Sequence, residues 1–348
     1  MPDVPYEAAI NEALERLEHA GFFFGSGGPG NQLRGFAIHA PMGAEALAVL
    51  GHGELVPGWV DGYAARRGFG TPPDPFAPID PADPASWRAA LGETRRLADW
   101  ATLFRRGIDD AGWHATLVAW WPRLTPGVMA GLTHGLIRTA HAVRSAAAVP
   151  EPSPLQLHEI ANGLAFWAAM YQPPSSAMVR GARAIGTVRT LGRRPAGRLF
   201  AAADARLGES VDAAVAELAA TSAGRYLTVS GRVPVPAVHT VTAPAALRMV
   251  LPHLPAELAA PSYEAVREVC GTLLNLFAPG GPDHRPEPAV DGDDPGVQRR
   301  VLAAAVELGD EHAIKMAEAA AREYADHPDP RYFAAAHHAV LLLGGSPG

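Results

Sequence analysis

Lysine is almost missing from this chain: Lys315 is the only one, and every other basic side chain is arginine. Cysteine is as scarce. Cys270 stands alone, which excludes an internal disulfide and a cysteine-built zinc site. One thiol fits a reducing compartment, so a cytoplasmic location is expected. Long apolar runs are also missing, and none approaches the roughly 20 residues that a membrane span needs. The opening Met-Pro-Asp-Val-Pro-Tyr-Glu is acidic and has no apolar signal core. Positive charge is not in excess. The formal net charge of -7 argues against a nucleic-acid surface, which clusters Lys and Arg. Neither nucleic acid nor membrane is therefore an expected partner. No repeat of 20 to 50 residues is convincing either.

What the chain has in surplus is histidine, 14 residues against 29 Lys and Arg. Imidazole titrates near neutral pH and is the commonest metal ligand, so the surplus hints at metal or proton chemistry. The 348 residues suffice for one large domain or two ordinary ones, and 48% hydrophobic with 19% charged is typical of a soluble globular chain.

Apolar spacing predicts helices almost throughout. They are expected over residues 6 to 20, from Pro41 to Leu50, 55 to 67, 87 to 106, 111 to 121 up to Pro122, and 127 to 148. Further helices are expected over 158 to 170, 211 to 220, the segment after His239, 262 to 277 with Ser262 as N-cap, 297 to 326, and 330 to 343. Residues 227 to 235 have weak strand character. Residues 70 to 86 are proline-rich and read as a surface loop or lid. Residues 278 to 296 read as a second irregular loop, and 172 to 200 are not placed. Glycines 25, 27 and 30 match G-x-G-x-x-G. A helix precedes them and Pro29 interrupts them, so a connector is the better reading than a dinucleotide site. The fold expected is all-α: a single large multi-helix domain over 1–348, with few or no strands and a buried site between helices.

Four histidines stand in or beside apolar helices on four separate segments: His39, His134, His239 and His312. A solvated or merely hydrogen-bonded role is the plain alternative for each. His134, Arg138 and His141 recur at i, i+4 and i+7, a polar stripe on an apolar helix that must find partners or line a cavity. His312 and Lys315, three apart, share a helix face. A buried lysine is costly when charged, so it tends to be neutral, paired or modified. Together the four imidazoles and Lys315 suggest a nitrogen-rich metal centre, and imidazole suits iron, copper and zinc. An ammonium cannot ligate a metal, but a lysine carbamate can, through an anionic oxygen. Glu45, Glu311 and Glu318 are the alternative oxygen donors. Arg138 is expected to bind a substrate oxyanion or hold the carbamate, and His141 and His338 are reserve ligands or acid–base groups.

The segments Ile38-His-Ala-Pro-Met-Gly-Ala-Glu-Ala-Leu47, Trp120 to Arg144 with its Thr133-His-Gly-Leu-Ile-Arg-Thr-Ala-His141 run, Val238-His-Thr-Val-Thr242 and Asp310-Glu-His-Ala-Ile-Lys315 resemble the questin oxidase-like family. The resemblance runs through most of the chain in the same order. It implies a helical fold and an oxygenase that cleaves or expands a ring of an anthraquinone-like aromatic polyketide with O2. Members have been described both as non-haem iron oxygenases and as NADPH-dependent Baeyer–Villiger oxygenases. The reading taken is an Fe(II) centre on His39, His134, His239, His312 and carbamylated Lys315, with an apolar substrate pocket drawn partly from Trp120, Trp121, Phe166 and Trp167. The alternatives are an NADPH-dependent or cofactor-independent oxygenase, marked by activity in metal-stripped protein, and a non-enzymatic helical binding protein.

Overall fold

The structure is a computed structural model that describes residues 4–18, 20, 22–24, 36–70, 74–174, 199–229, 234–277 and 288–345. The fold is all-α. Among the described residues the only strands are β1 (Phe23–Phe24) and β2 (Phe36–Ala37), a short antiparallel pair. The Gly25 to Gly30 connector lies outside the described residues, as do most of 172 to 200 and residues 278–287. The chain divides into two compact units, Met1–Pro173 and Pro174–Gly348.

The first unit carries α1 (Tyr6–Arg16), α2 (Ala40–Val49), α3 (Val56–Arg67), α4 (Pro84–Ala90), α5 (Leu97–Ala111), α6 (Trp113–Leu124), α7 (His134–Ala147) and α8 (Pro154–Ala169). Its core is aromatic. Trp120 meets Trp87, Trp100 and Phe104 edge-on at 5.2 to 6.0 Å, and Trp121 meets Trp167 at 5.2 Å. Edge-to-face contact suits the ring quadrupoles. Trp120, Trp121 and Trp167, expected to contribute to a substrate pocket, are thus each packed on at least one other ring. The expected helix over 87 to 106 is broken: Gly92 adopts φ 74, and α5 starts only at Leu97. Pro122 lies inside α6 and does not stop it. The proline-rich loop is tied down, because Phe76 and Ala77 donate backbone N–H groups to Asp99 and Arg96 pairs with the same carboxylate.

The second unit carries α9 (Ala201–Arg206), α10 (Val211–Tyr226), α11 (Pro234–Val250), α12 (Ala259–Phe277), α13 (Pro295–Leu308), α14 (Glu311–Asp326) and α15 (Pro330–Gly344). Leu227 and Thr228 form a turn, and Val235 belongs to α11, so the expected strand is absent from the described part of 227 to 235. His239 sits inside α11, one turn past its start, and not ahead of the helix as expected. Ser262 is not an N-cap. The helix begins at Ala259, and the Ser262 hydroxyl donates back to the Leu258 carbonyl. The expected helix over 297 to 326 is two. Gly309 closes α13 at φ 69, and the Asp310 side chain caps α14 by accepting from His312 N and Ala313 N. A glycine in the left-handed C-cap position followed by an aspartate N-cap is a stop followed by a start.

Candidate metal centre

In the first unit His39 is the N-cap of α2, with Pro41 in the first turn, and His134 opens α7. Proline fits there because its missing N–H has no partner to lose in a first turn. The backbone before His134 is unusual: Gly131, Leu132 and Thr133 all adopt left-handed φ, at 54, 59 and 68. That turn explains why α7 starts at residue 134 and not at 127. It also brings the Gly131 carbonyl against His134 Nδ1. A carbonyl can only accept, so Nδ1 carries the proton and Nε2 presents its lone pair. His134 Nε2 lies 2.6 Å from His39 Nε2, with the rings edge-on at 4.4 Å. A proton on His39 Nε2 donated to the His134 Nε2 lone pair fits that distance.

The second unit repeats the device. His239 Nδ1 donates to the Val235 carbonyl at 2.9 Å, one turn earlier in α11, which leaves Nε2 as the unprotonated nitrogen of the neutral ring. His312, in the first turn of α14, faces His239 with ring centroids 5.8 Å apart, and its Nδ1 lies 3.6 Å from Asp310 Oδ1. Burial raises the Asp310 carboxyl, but His312 and the N–H groups of the α14 start outweigh it and bring it down to about 2. Asp310, Glu311 and His312 hold donor atoms within 4.8 Å of one another. Lys315 is buried at 2% exposure, and burial, opposed by Glu311 and Asp310, pushes its ammonium down to about 8.

His39, His134, His239 and His312 are all buried and form a donor set able to coordinate a metal ion. Two of them, His134 and His239, turn Nδ1 to a backbone carbonyl, the outer-sphere contact that metal-binding histidines almost always make. The set matches a nitrogen-rich centre by residue type.

The other residues singled out are engaged elsewhere. Arg138 forms a bidentate ion pair with Glu159 at 2.6 and 2.8 Å and stacks 5.1 Å from the Phe22 ring. His141 Nδ1 meets Glu45 at 2.7 Å. Glu45 also accepts from Tyr6 at 2.6 Å and from Arg144. Burial raises the Glu45 carboxyl, yet Arg144 and His141 overcome this and hold it well below the usual range. That network occupies both Glu45 oxygens, which leaves it a poor spare metal ligand. Arg138, His141, Glu45 and Glu159 line one cleft of the first unit. His338, in α15, donates Nε2–H to the Val229 carbonyl at 3.0 Å and sits edge-on to Tyr226. Glu318 accepts from Arg322 at 3.1 Å.

Sequence reasoning missed three contributors. Asp310 was legible as the aspartate after Gly309. Tyr6 and Glu159 carried no signal, since only the fold brings them to Glu45 and Arg138. No helix of the described residues is long and apolar enough to cross a membrane. Compared with models of protein families and with curated proteins, the chain matches none.

Proposed function

We propose that the chain is a metal-dependent oxygenase in which His39, His134, His239 and His312 hold one non-haem Fe(II) ion. The observation that carries the metal is the donor set itself, four buried histidines able to hold an ion, of which His134 and His239 give Nδ1–H to a backbone carbonyl as metal-binding histidines do. Iron, among the metals imidazole suits, is taken from the resemblance to the questin oxidase-like family. So is the substrate class, an anthraquinone-like phenol or quinone whose ring is opened with O2. Bound iron supplies one-electron chemistry for O2, which reacts slowly with closed-shell organic molecules.

The residues of the chain take the remaining roles. Lys315 is the candidate fifth ligand as a carbamate. Its neutral amine adds to CO2, the N–C bond forms, one proton leaves, and an anionic carboxylate oxygen results. Burial favours this by lowering the cost of the neutral amine. Arg138, held by Glu159, is a fixed cation for a phenolate oxygen. His141, oriented by Glu45, is a proton carrier, and His338 is a second one, farther along the chain on α15.

The test is O2 uptake with a polycyclic phenol or quinone, before and after the metal is stripped with a chelator and restored with Fe(II). Turnover lost on stripping and regained with iron is expected. Turnover that survives stripping, with or without NADPH, would replace the iron reading by the Baeyer–Villiger or cofactor-independent one. Tight quinone binding without O2 uptake would make the chain a binding protein. Lys315→Arg keeps the charge but cannot form the carbamate, so it is expected to lose iron and turnover. Full iron in that variant would remove Lys315 from the ligand set.

A further inference from the structure

Buried hydroxyls in folded proteins normally have a partner. Thr133 is fully buried, and its Oγ1 has no hydrogen-bond partner among the described residues. It is the N-cap of α7, where a threonine hydroxyl usually accepts from the first turn, yet it makes no such bond. The backbone adds to the oddity. Thr133 sits at φ 68, in the left-handed region that a β-branched residue adopts only under strain. Glycine or asparagine would hold the same turn, and so the same His134 orientation, at lower cost. Beside a methyl group, what threonine adds over glycine at this position is a hydroxyl with no partner among the described residues.

We propose that the Thr133 hydroxyl donates a hydrogen bond to a small oxygen ligand, water, hydroxide or dioxygen, bound beside the His39–His134 pair. The assignment rests on the metal reading above. It follows from two costs borne by the residue that adjoins His134, and from the full burial of Thr133, which admits only a small partner. Thr133 thereby acts on the incoming ligand and not on the metal.

Azide serves as the probe, since it enters an open metal position and accepts hydrogen bonds. Thr133→Val keeps the shape and removes the hydroxyl, whereas Thr133→Ser keeps the hydroxyl. Three quantities are read on each protein: iron content by elemental analysis, azide affinity of the iron-loaded protein from its absorption band, and the thermal midpoint of the metal-free protein. The valine variant is expected to keep its iron and to bind azide roughly tenfold more weakly. The serine variant is expected to stay within about threefold of the parent. If the valine variant is not recovered folded, Thr133→Ala carries the same expectation. Unchanged azide affinity in the hydroxyl-free variant, with iron retained and a raised midpoint, overturns the assignment and leaves a structural orphan. A serine variant as weak as valine overturns it too. Parent protein that takes up no iron overturns the metal reading, and this assignment with it.

Discussion

In metal-free, unmodified protein at neutral pH, the Lys315 ammonium is held where charge is disfavoured. Its ammonium falls from the ordinary 10.5 to about 8 because burial outweighs Glu311 and Asp310. A base with a lowered folded pKa is protonated in both states below pH 8, and the folded state then bears the full penalty. Between pH 8 and 10.5 the unfolded chain binds the proton that the folded chain has shed, so stability rises with pH. The rise is on the order of 3 kcal/mol. Urea unfolding of metal-free protein across that window should show it, and Lys315→Met should flatten it. An equal rise in both proteins would place the titration elsewhere. Glu45 has the opposite sign. Its folded pKa is lowered, so its contribution is present above pH 4.5 and is lost on acidification through its lowered value. Removing its charge in Glu45→Gln leaves Arg144 and His141 without their anion, for a loss of about 3 kcal/mol. An unfolding free energy unchanged at pH 7 would contradict this. Residue types were legible in the sequence at this scale, the four histidines and the single lysine above all. Their partners were not, because Glu45 lies 96 residues from His141 and only folding brings the two together.

The helices α7 and α8 are held at glycine distance. A Cβ on Gly163 would lie 2.9 Å from Thr139 Cα, and one on Gly135 would lie 2.8 Å from Trp167 Cα. Those are backbone contacts that no side-chain rotation relieves. Gly163→Ala should therefore push the two helices apart and cost about 1 to 3 kcal/mol, even though alanine is the better helix former. Because α7 opens with His134, the same variant should also lower metal affinity. A stability equal to the parent's in chemical denaturation would contradict the close approach. The number and apolar faces of the helices were readable from periodicity, but their ends were read less well. The α13–α14 break at Gly309-Asp310 was written in the sequence as a C-cap and an N-cap, yet apolar spacing runs on either side and hides it. The start of α7 was not readable in this way. Nothing in Gly131-Leu-Thr announces three left-handed residues, because leucine and threonine rarely adopt that conformation.

At the scale of the whole molecule, the expected all-α class is the class observed, because helical periodicity dominates nearly every segment and survives local errors in helix ends. The sequence reading takes 1–348 as one domain, and within it the chain divides at Pro173 and Pro174 into two compact units. The four histidines are shared evenly, two to a unit, each pair facing ring to ring. The central claim of the account is that these four imidazoles serve one ion. It is tested most directly by iron per chain, measured by elemental analysis on anaerobically loaded parent, His134→Ala and His239→Ala proteins. The account predicts close to one iron in the parent and a near-complete loss in both variants, since each removes a ligand from the same ion. Parent protein without iron, or variants that lose it in only one of the two cases, would contradict it.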